Sequence, residues 1–132
     1  MAKKILLHRS MLQVYVKESH KALEFYQKAF DAKIVADHRH EDGTIAHAEL
    51  DVYGQIVAIC EAREPEVITG NAMQFCLHLG KGKEALVKKM YERLKEDCVE
   101  LTAPITGPGE CPWSPCVFGL IDKYGVNWCV FV

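Results

Sequence analysis

The chain has no excess of charge of either sign. Sixteen Lys and Arg stand against eighteen Asp and Glu, a formal net charge of −2. That balance excludes a bulk electrostatic attraction to nucleic acid or to an anionic membrane. No apolar run approaches the roughly 20 residues that a membrane helix needs, so no membrane span is expected. The opening stretch, Met-Ala-Lys-Lys-Ile-Leu-Leu-His, is too short in apolar residues for a secretory signal. A cytoplasmic protein is therefore expected. There is no Cys-x-x-Cys pair among the six cysteines, which argues against a zinc knuckle. Cys111 and Cys116 flank a Pro-Trp-Ser-Pro turn, a poor zinc spacing. Four of the six, Cys60, Cys76, Cys116 and Cys129, lie in apolar, strand-like segments and are read as free thiols that pack as small hydrophobes. No glycine-rich loop of dinucleotide-binding type follows a strand.

What is present is a chain of 132 residues, 49% hydrophobic and 26% charged. This is the balance of an ordinary globular protein and the length of one domain with a single core. Alternation marks residues 10–17 as a strand. Ser19 is read as the N-cap of a helix running to about Phe30, with Ala22, Phe25, Tyr26, Ala29 and Phe30 as its apolar stripe. Residues 33–40 read as a second strand, and Glu41-Asp-Gly-Thr44 as a hairpin turn. Residues 45–52 and 55–61 follow as strands, then a connector over 62–70. The order then repeats. A strand over 72–79 leads into a helix over 83–97, with Leu86, Val87, Met90, Tyr91 and Leu94 on one side. A short strand over 98–103 and a loop over 104–115, rich in proline, precede strands over 116–122 and 126–132. Each half therefore reads strand, helix, strand, strand, strand, and the repeat is one of element order only.

Side chains alternate faces along a strand, and the second face of these strands is unusual. Opposite Leu12, Val14 and Val16 lie Gln13 and Tyr15. Opposite Ala46, Ala48 and Leu50 lie His47 and Glu49. Opposite Phe75, Leu77 and Leu79 lie Gln74, Cys76 and His78. Opposite Trp128 and Val130 lie Cys129 and Phe131. The apolar faces call for helices. The other faces carry ligand-type residues where a solvated sheet would favour Lys, Thr and Ser. They point to a binding cleft.

Three motifs carry a family resemblance: Ala22-Leu-Glu-Phe-Tyr-Gln-Lys-Ala-Phe30, Ile45-Ala-His-Ala-Glu-Leu50, and Trp113 followed by Asp122-Lys-Tyr-Gly-Val-Asn-Trp128. With the doubled order, they resemble the vicinal oxygen chelate superfamily, which includes glyoxalase I, fosfomycin-resistance transferases, extradiol dioxygenases and bleomycin-resistance proteins. The local motifs are most similar to its PhnB-like branch. The resemblance implies an α+β fold: two βαβββ modules, about 8–62 and 71–132, in one domain over 1–132. Their strands form a concave eight-stranded mixed sheet with helices outside, and such proteins generally form homodimers. It further implies that a metal, where one binds, is held near Gln13, Glu61, Gln74 and Cys129, with Met11 or Arg9 as substitutes for Gln13.

That set mixes one carboxylate, two neutral amides and a thiol, so hard-oxygen and thiolate preferences conflict. No cofactor is therefore expected, with a divalent metal kept as the alternative. In the metal-free reading Gln13 and Gln74 only hydrogen-bond across the cavity and Cys129 packs. The expected function is small-molecule binding through Gln13, Tyr15, His47, Glu49, Gln74, His78 and Trp113. The alternative is a metal-dependent lyase, isomerase or transferase. Glu61 and His47 are the candidate catalytic residues: Glu61 as a base raised by its apolar neighbours, or else a strand-end carboxylate reaching solvent; His47 as a base oriented by a nearby Glu, or else a satisfied structural histidine. His38 and His40 are read as a solvated strand end, and His8 as lying close enough to reach a cleft. Trp113 is either a lid wall or a loop anchor. Trp128 is read as core and Asp122 as the cap of the Lys123-Tyr-Gly125 turn.

Overall fold

The computed structural model describes residues 4–132. The first residues of the stretch judged too short for a signal, 1–3, lie outside the described residues. The elements in chain order are β1 (Leu12–Val16), α1 (Ser19–Phe30), β2 (Lys33–Arg39), β3 (Ile45–Val52), β4 (Gln55–Glu61), β5 (Phe75–His78), α2 (Glu84–Leu94), β6 (Glu100–Ala103), β7 (Val117–Ile121) and β8 (Asn127–Phe131). This is the βαβββ order twice over. The eight strands form two sheets of four, ordered β1-β4-β3-β2 and β5-β8-β7-β6. In each sheet the first and fourth strands of the module pair in parallel and the rest antiparallel.

Local chemistry sets the helix ends. α1 buries Ala22, Leu23, Tyr26, Ala29 and Phe30, a stripe at helical spacing. It stops at Asp31, whose φ of 52° is left-handed. There the Ala32 amide returns to the Gln27 carbonyl at 3.0 Å, closing the helix in the Schellman manner. Its beginning differs from expectation. Glu18, at φ 52°, holds the N-cap position without a side-chain cap bond. Ser19 is fully buried and its hydroxyl serves tertiary contacts. It donates to Glu61 Oε1 at 2.8 Å and accepts the Ile45 amide at 2.8 Å. β5 is shorter than expected, because Gln74 and its predecessors are exposed and lie outside the ladder. α2 ends at Leu94, three residues early, ahead of Asp97 at φ 53°.

Both helices pack against one core. α1 touches β1, β3 and β4 of the first sheet and also α2, while α2 touches β7 and β8 of the second. Arg93 of α2 donates to the Lys28 carbonyl of α1. The Tyr26 and Phe30 rings meet Trp128 of β8, at centroid distances of 6.0 and 4.9 Å. Trp128 is fully buried, as its parity requires. Asp122 caps its turn as expected, with Oδ1 accepting the Tyr124 and Val126 amides at 2.8 and 3.1 Å. Its Oδ2 does more. It accepts the Tyr26 hydroxyl at 2.7 Å and Trp128 Nε1 at 2.8 Å. One buried carboxylate thus ties the first module's helix to the second module's last strand. Burial pushes this carboxyl above its ordinary value even though four donors oppose the shift.

Candidate functional site

Register places the polar residues. Leu12, Val14 and Val16 of β1 face the helices and pair with Val57, Ile59 and Glu61 of β4. The outward face of the first sheet therefore carries two rows. Gln13, Ala58, Glu49 and Ala36 stand side by side across the four strands. In the next row Tyr15 pairs with Cys60, and His47 with His38. The structure thus brings together Gln13, Tyr15, His47 and Glu49. Gln13 Nε2 donates to the Tyr15 hydroxyl at 2.8 Å.

Glu49 is the centre of this face. Only 7% of it is exposed. Arg9, from the segment before β1, grips it with both guanidinium nitrogens, at 2.7 and 3.0 Å. His47 Nε2 lies 2.8 Å from the second carboxylate oxygen. Hydrogen bonds from Arg9 first, then from His47, hold the Glu49 carboxyl down at about 2. Glu49 is therefore ionised at neutral pH and can only accept, so His47 Nε2 must be the donor. In a neutral ring Nδ1 is then the acceptor. It stands 3.8 Å from the Cys60 sulfur. Cys60 is itself buried, and burial raises its thiol. The array fixes the imidazole in one tautomer and one orientation. Arg9 and Cys60 were not among the expected ligand-binding residues. Arg9 figured only as a substitute metal position, and no spacing in the sequence joins it to Glu49.

Glu61 is a correction. It was expected among inward ligands, as base or metal donor. It pairs with Val16 and shares the helix-facing side of β4 with Val57 and Ile59. There its Oε1 accepts both the amide and the hydroxyl of Ser19, at 3.0 and 2.8 Å. Its work is to fasten the start of α1. His8 is exposed, His38 is exposed on β2, and His40 is half-buried just after that strand.

The second sheet carries the remaining candidates on its own outward face. Cys76 pairs with Cys129 and His78 with Phe131. The His78 ring stacks on Phe131 at 4.5 Å, and the Trp113 ring meets Phe131 edge-on at 5.1 Å. Trp113 remains 62% exposed, so it rests on the sheet without being enclosed. Gln74 Nε2 donates to Asn127 Oδ1 at 3.2 Å and to the Trp128 carbonyl at 3.4 Å.

Two open grooves flank the junction of the modules. One, of about 330 Å³, lies between β1 and the β7–β8 turn and is lined by Leu12, Tyr15, Ile68, Gln74, Tyr124 and Asn127. The other, of about 390 Å³, lies between β5 and the β3–β4 turn and includes Tyr53, Gln55, Cys76, His78 and Lys83. The two occupy corresponding places, each pairing one module's first strand with the other's last turn. Gly125, one of the first groove's lining residues, lets the connector pack against this turn. At φ +88° a Cβ there would sit 2.5 Å from Thr69 Oγ1 of the connector. His47 and Glu49 line neither groove.

The metal-holding set does not fit its task. Glu61 faces the helix, Gln13 and Gln74 have only neutral amide oxygens to offer, and the Cys129 thiol is pushed up to about 11, by burial and then by Cys76. Among the described residues no group of three or more His, Cys, Asp or Glu is placed to hold a metal ion. Two amides and a protonated thiol make a poor site for a hard divalent cation.

The profile of the Glyoxalase/Bleomycin resistance protein/Dioxygenase superfamily matches residues 8–130. No curated protein matches the chain. Among solved structures, the PhnB protein of Bacillus cereus superposes with a TM-score of 0.76 at 22% identity, over 94% of this chain and 98% of that one. The fosfomycin resistance protein FosX of Listeria monocytogenes superposes with a TM-score of 0.67 at 15% identity, over 96% and 93%. A FosX mutant has been solved with Mn(II) and 1S,2S-dihydroxypropylphosphonic acid. A glyoxylase/bleomycin resistance protein/dioxygenase domain from Frankia gives a TM-score of 0.65 at 15% identity, over 96% and 92%. These likenesses establish the shared fold. The chain belongs to the Glyoxalase/Bleomycin resistance protein/Dioxygenase superfamily.

Proposed function

We propose that this protein binds a small organic molecule against the outward face of its first sheet. The observation that carries the reading is the Arg9–Glu49–His47 array. It is a nearly buried, ionised carboxylate pinned from two sides on an otherwise open face. A fixed carboxylate and imidazole supply directional polar contacts, and Gln13 and Tyr15, on the same face with β4 between, supply an amide and an aromatic wall. The open face of one chain leaves a ligand half covered. A second copy would close it by bringing its own Gln74, His78 and Trp113 over the first sheet, so the working form is a homodimer whose two modules act as one domain. The free cysteines suit a reducing compartment, the cytoplasm.

The rival reading is a metal-dependent lyase, isomerase or transferase, as the Mn(II) complex of FosX suggests. It requires charged oxygen donors, whereas Gln13 and Gln74 offer only neutral amide oxygens, Cys129 offers a thiol, and Glu61 is turned away. Metal-independent binding through His47 and Glu49 is the better account.

The test is a fragment library screened by protein-observed NMR on the parent chain, His47→Ala and Glu61→Gln. Fragments should shift signals of Gln13, Tyr15, His47 and Glu49. The shifts should disappear in His47→Ala and persist in Glu61→Gln. Fragment shifts that require added Mn(II), or that vanish in Glu61→Gln, would support the metal-dependent enzyme instead.

A further inference from the structure

The second sheet brings two cysteines together in a way the sequence does not announce. Cys76 and Cys129 lie 53 positions apart in the numbering yet are Cα partners in the parallel β5–β8 pairing. Neighbouring strands lie about 4.8 Å apart. That falls inside the Cα separation of roughly 4.4–6.8 Å that a disulfide spans. Both side chains project on the same, outward face, since their neighbours Leu77 and Val130 enter the core. Cys76 is exposed and Cys129 half-buried. The proximity also shows electrostatically, for Cys76 and, more weakly, Cys111 of the 104–115 loop add to the rise of the Cys129 thiol. Two of the other thiols differ. Cys60 and Cys116 are buried, and burial raises both.

We propose that Cys76 and Cys129 form a redox-active dithiol that closes a reversible disulfide across β5 and β8 on reaction with a low-molecular-weight disulfide such as oxidised glutathione. Exposure makes Cys76 the attacking group. Its thiolate displaces one glutathione thiolate, which takes up a proton, and a mixed disulfide forms at Cys76. The Cys129 thiol then gives its proton to solvent and attacks the Cys76 sulfur, releasing the second glutathione. Two protein thiols are oxidised to one disulfide, and one glutathione disulfide is reduced to two thiols. The bond would fasten β5, a four-residue edge strand paired only with β8. It would do so on the face that carries Gln74, His78 and Phe131. Disulfides in reducing compartments are characteristically transient and sensing, and a cross-strand bond on an exposed edge is open to reduction. The proposal uses none of the first sheet's array, but it shares its face with the Gln74 and His78 that the dimer reading places over a ligand, so glutathione must reach Cys76 in the form present in solution.

The test is incubation of the full chain with excess oxidised glutathione at pH 8, followed by intact mass, non-reducing electrophoresis and peptide mapping. The expected result is a monomer-mass species that has lost two thiols, with a peptide cross-link joining Cys76 to Cys129 and reversal by dithiothreitol. Cys129→Ser should stop at a stable Cys76–glutathione adduct. A cross-link from either residue to Cys111, a disulfide-linked dimer, or glutathione retained on Cys76 of the parent chain without a cross-link would each overturn it.

Discussion

Glu49 keeps its charge because Arg9 and His47 both donate to it, and the consequence is a pH dependence of known sign. The folded carboxyl sits at about 2, against an ordinary value of 4.5. A depressed folded value means that the ionised form favours the native state. Its stabilisation is complete above the unfolded value and is lost as pH falls from 4.5 towards about 2. Urea unfolding of the parent chain should therefore show midpoints that decline through this window. Glu49→Gln should flatten that decline, with the difference between the two chains largest near neutrality. Equal acid slopes in both chains would remove Glu49 from the account. The alternation of Gln13, Tyr15, His47 and Glu49 was legible in the sequence, because polar and apolar residues alternate cleanly in β1 and β3. Arg9 was not, since a segment before the first strand carries no periodicity to say which face it crosses.

At the scale of elements, the place of Glu61 shows where alternation stops informing. Residues Val57 to Cys60 are all buried, on both faces of β4. A strand apolar on both sides has no readable parity, and the carboxylate at its end could be assigned to either face. Only the pairing of Glu61 with Val16 decides it. Ser19 misled for a related reason. A serine ahead of an apolar stripe signals an N-cap, but here its hydroxyl bridges Glu61 and the Ile45 amide. Ser19→Ala should thus strip the buried Ile45 amide of its acceptor and cost about 1–3 kcal/mol, measured by equilibrium denaturation. A loss of a few tenths, such as an exposed cap residue gives when replaced by glycine, would contradict the bridging role. The Cys76–Cys129 pairing was hidden in the same way, because no local pattern gives the register between strands so distant in the chain.

Across the whole molecule, the doubled βαβββ order was legible almost completely, since it depends on local periodicity and turn residues. The way the two halves join was not. Tyr26 reads as one more member of a helix stripe, and Asp122 as a turn cap. Together with Trp128 they form the polar seam between modules. Tyr26→Phe keeps the ring and removes one donor to a buried carboxylate. It should cost about 1–3 kcal/mol and lower the denaturation midpoint of both modules in a single transition, whereas two separate transitions would show that the seam does not couple them. The outward faces, open in one chain, call for a second. Sedimentation velocity should find a dimer, and Tyr15→Arg, on a side chain 58% exposed, should yield a monomer with unchanged far-UV circular dichroism. The most direct measurement of the central claim is a high-resolution crystal structure with a bound fragment from the NMR screen. The account predicts ligand density against His47 and the Arg9-held carboxylate of Glu49, roofed by the second copy. Density on the helix side of β4 around Glu61, or a ligand coordinated through a metal by Gln13, Gln74 and Cys129, would contradict it.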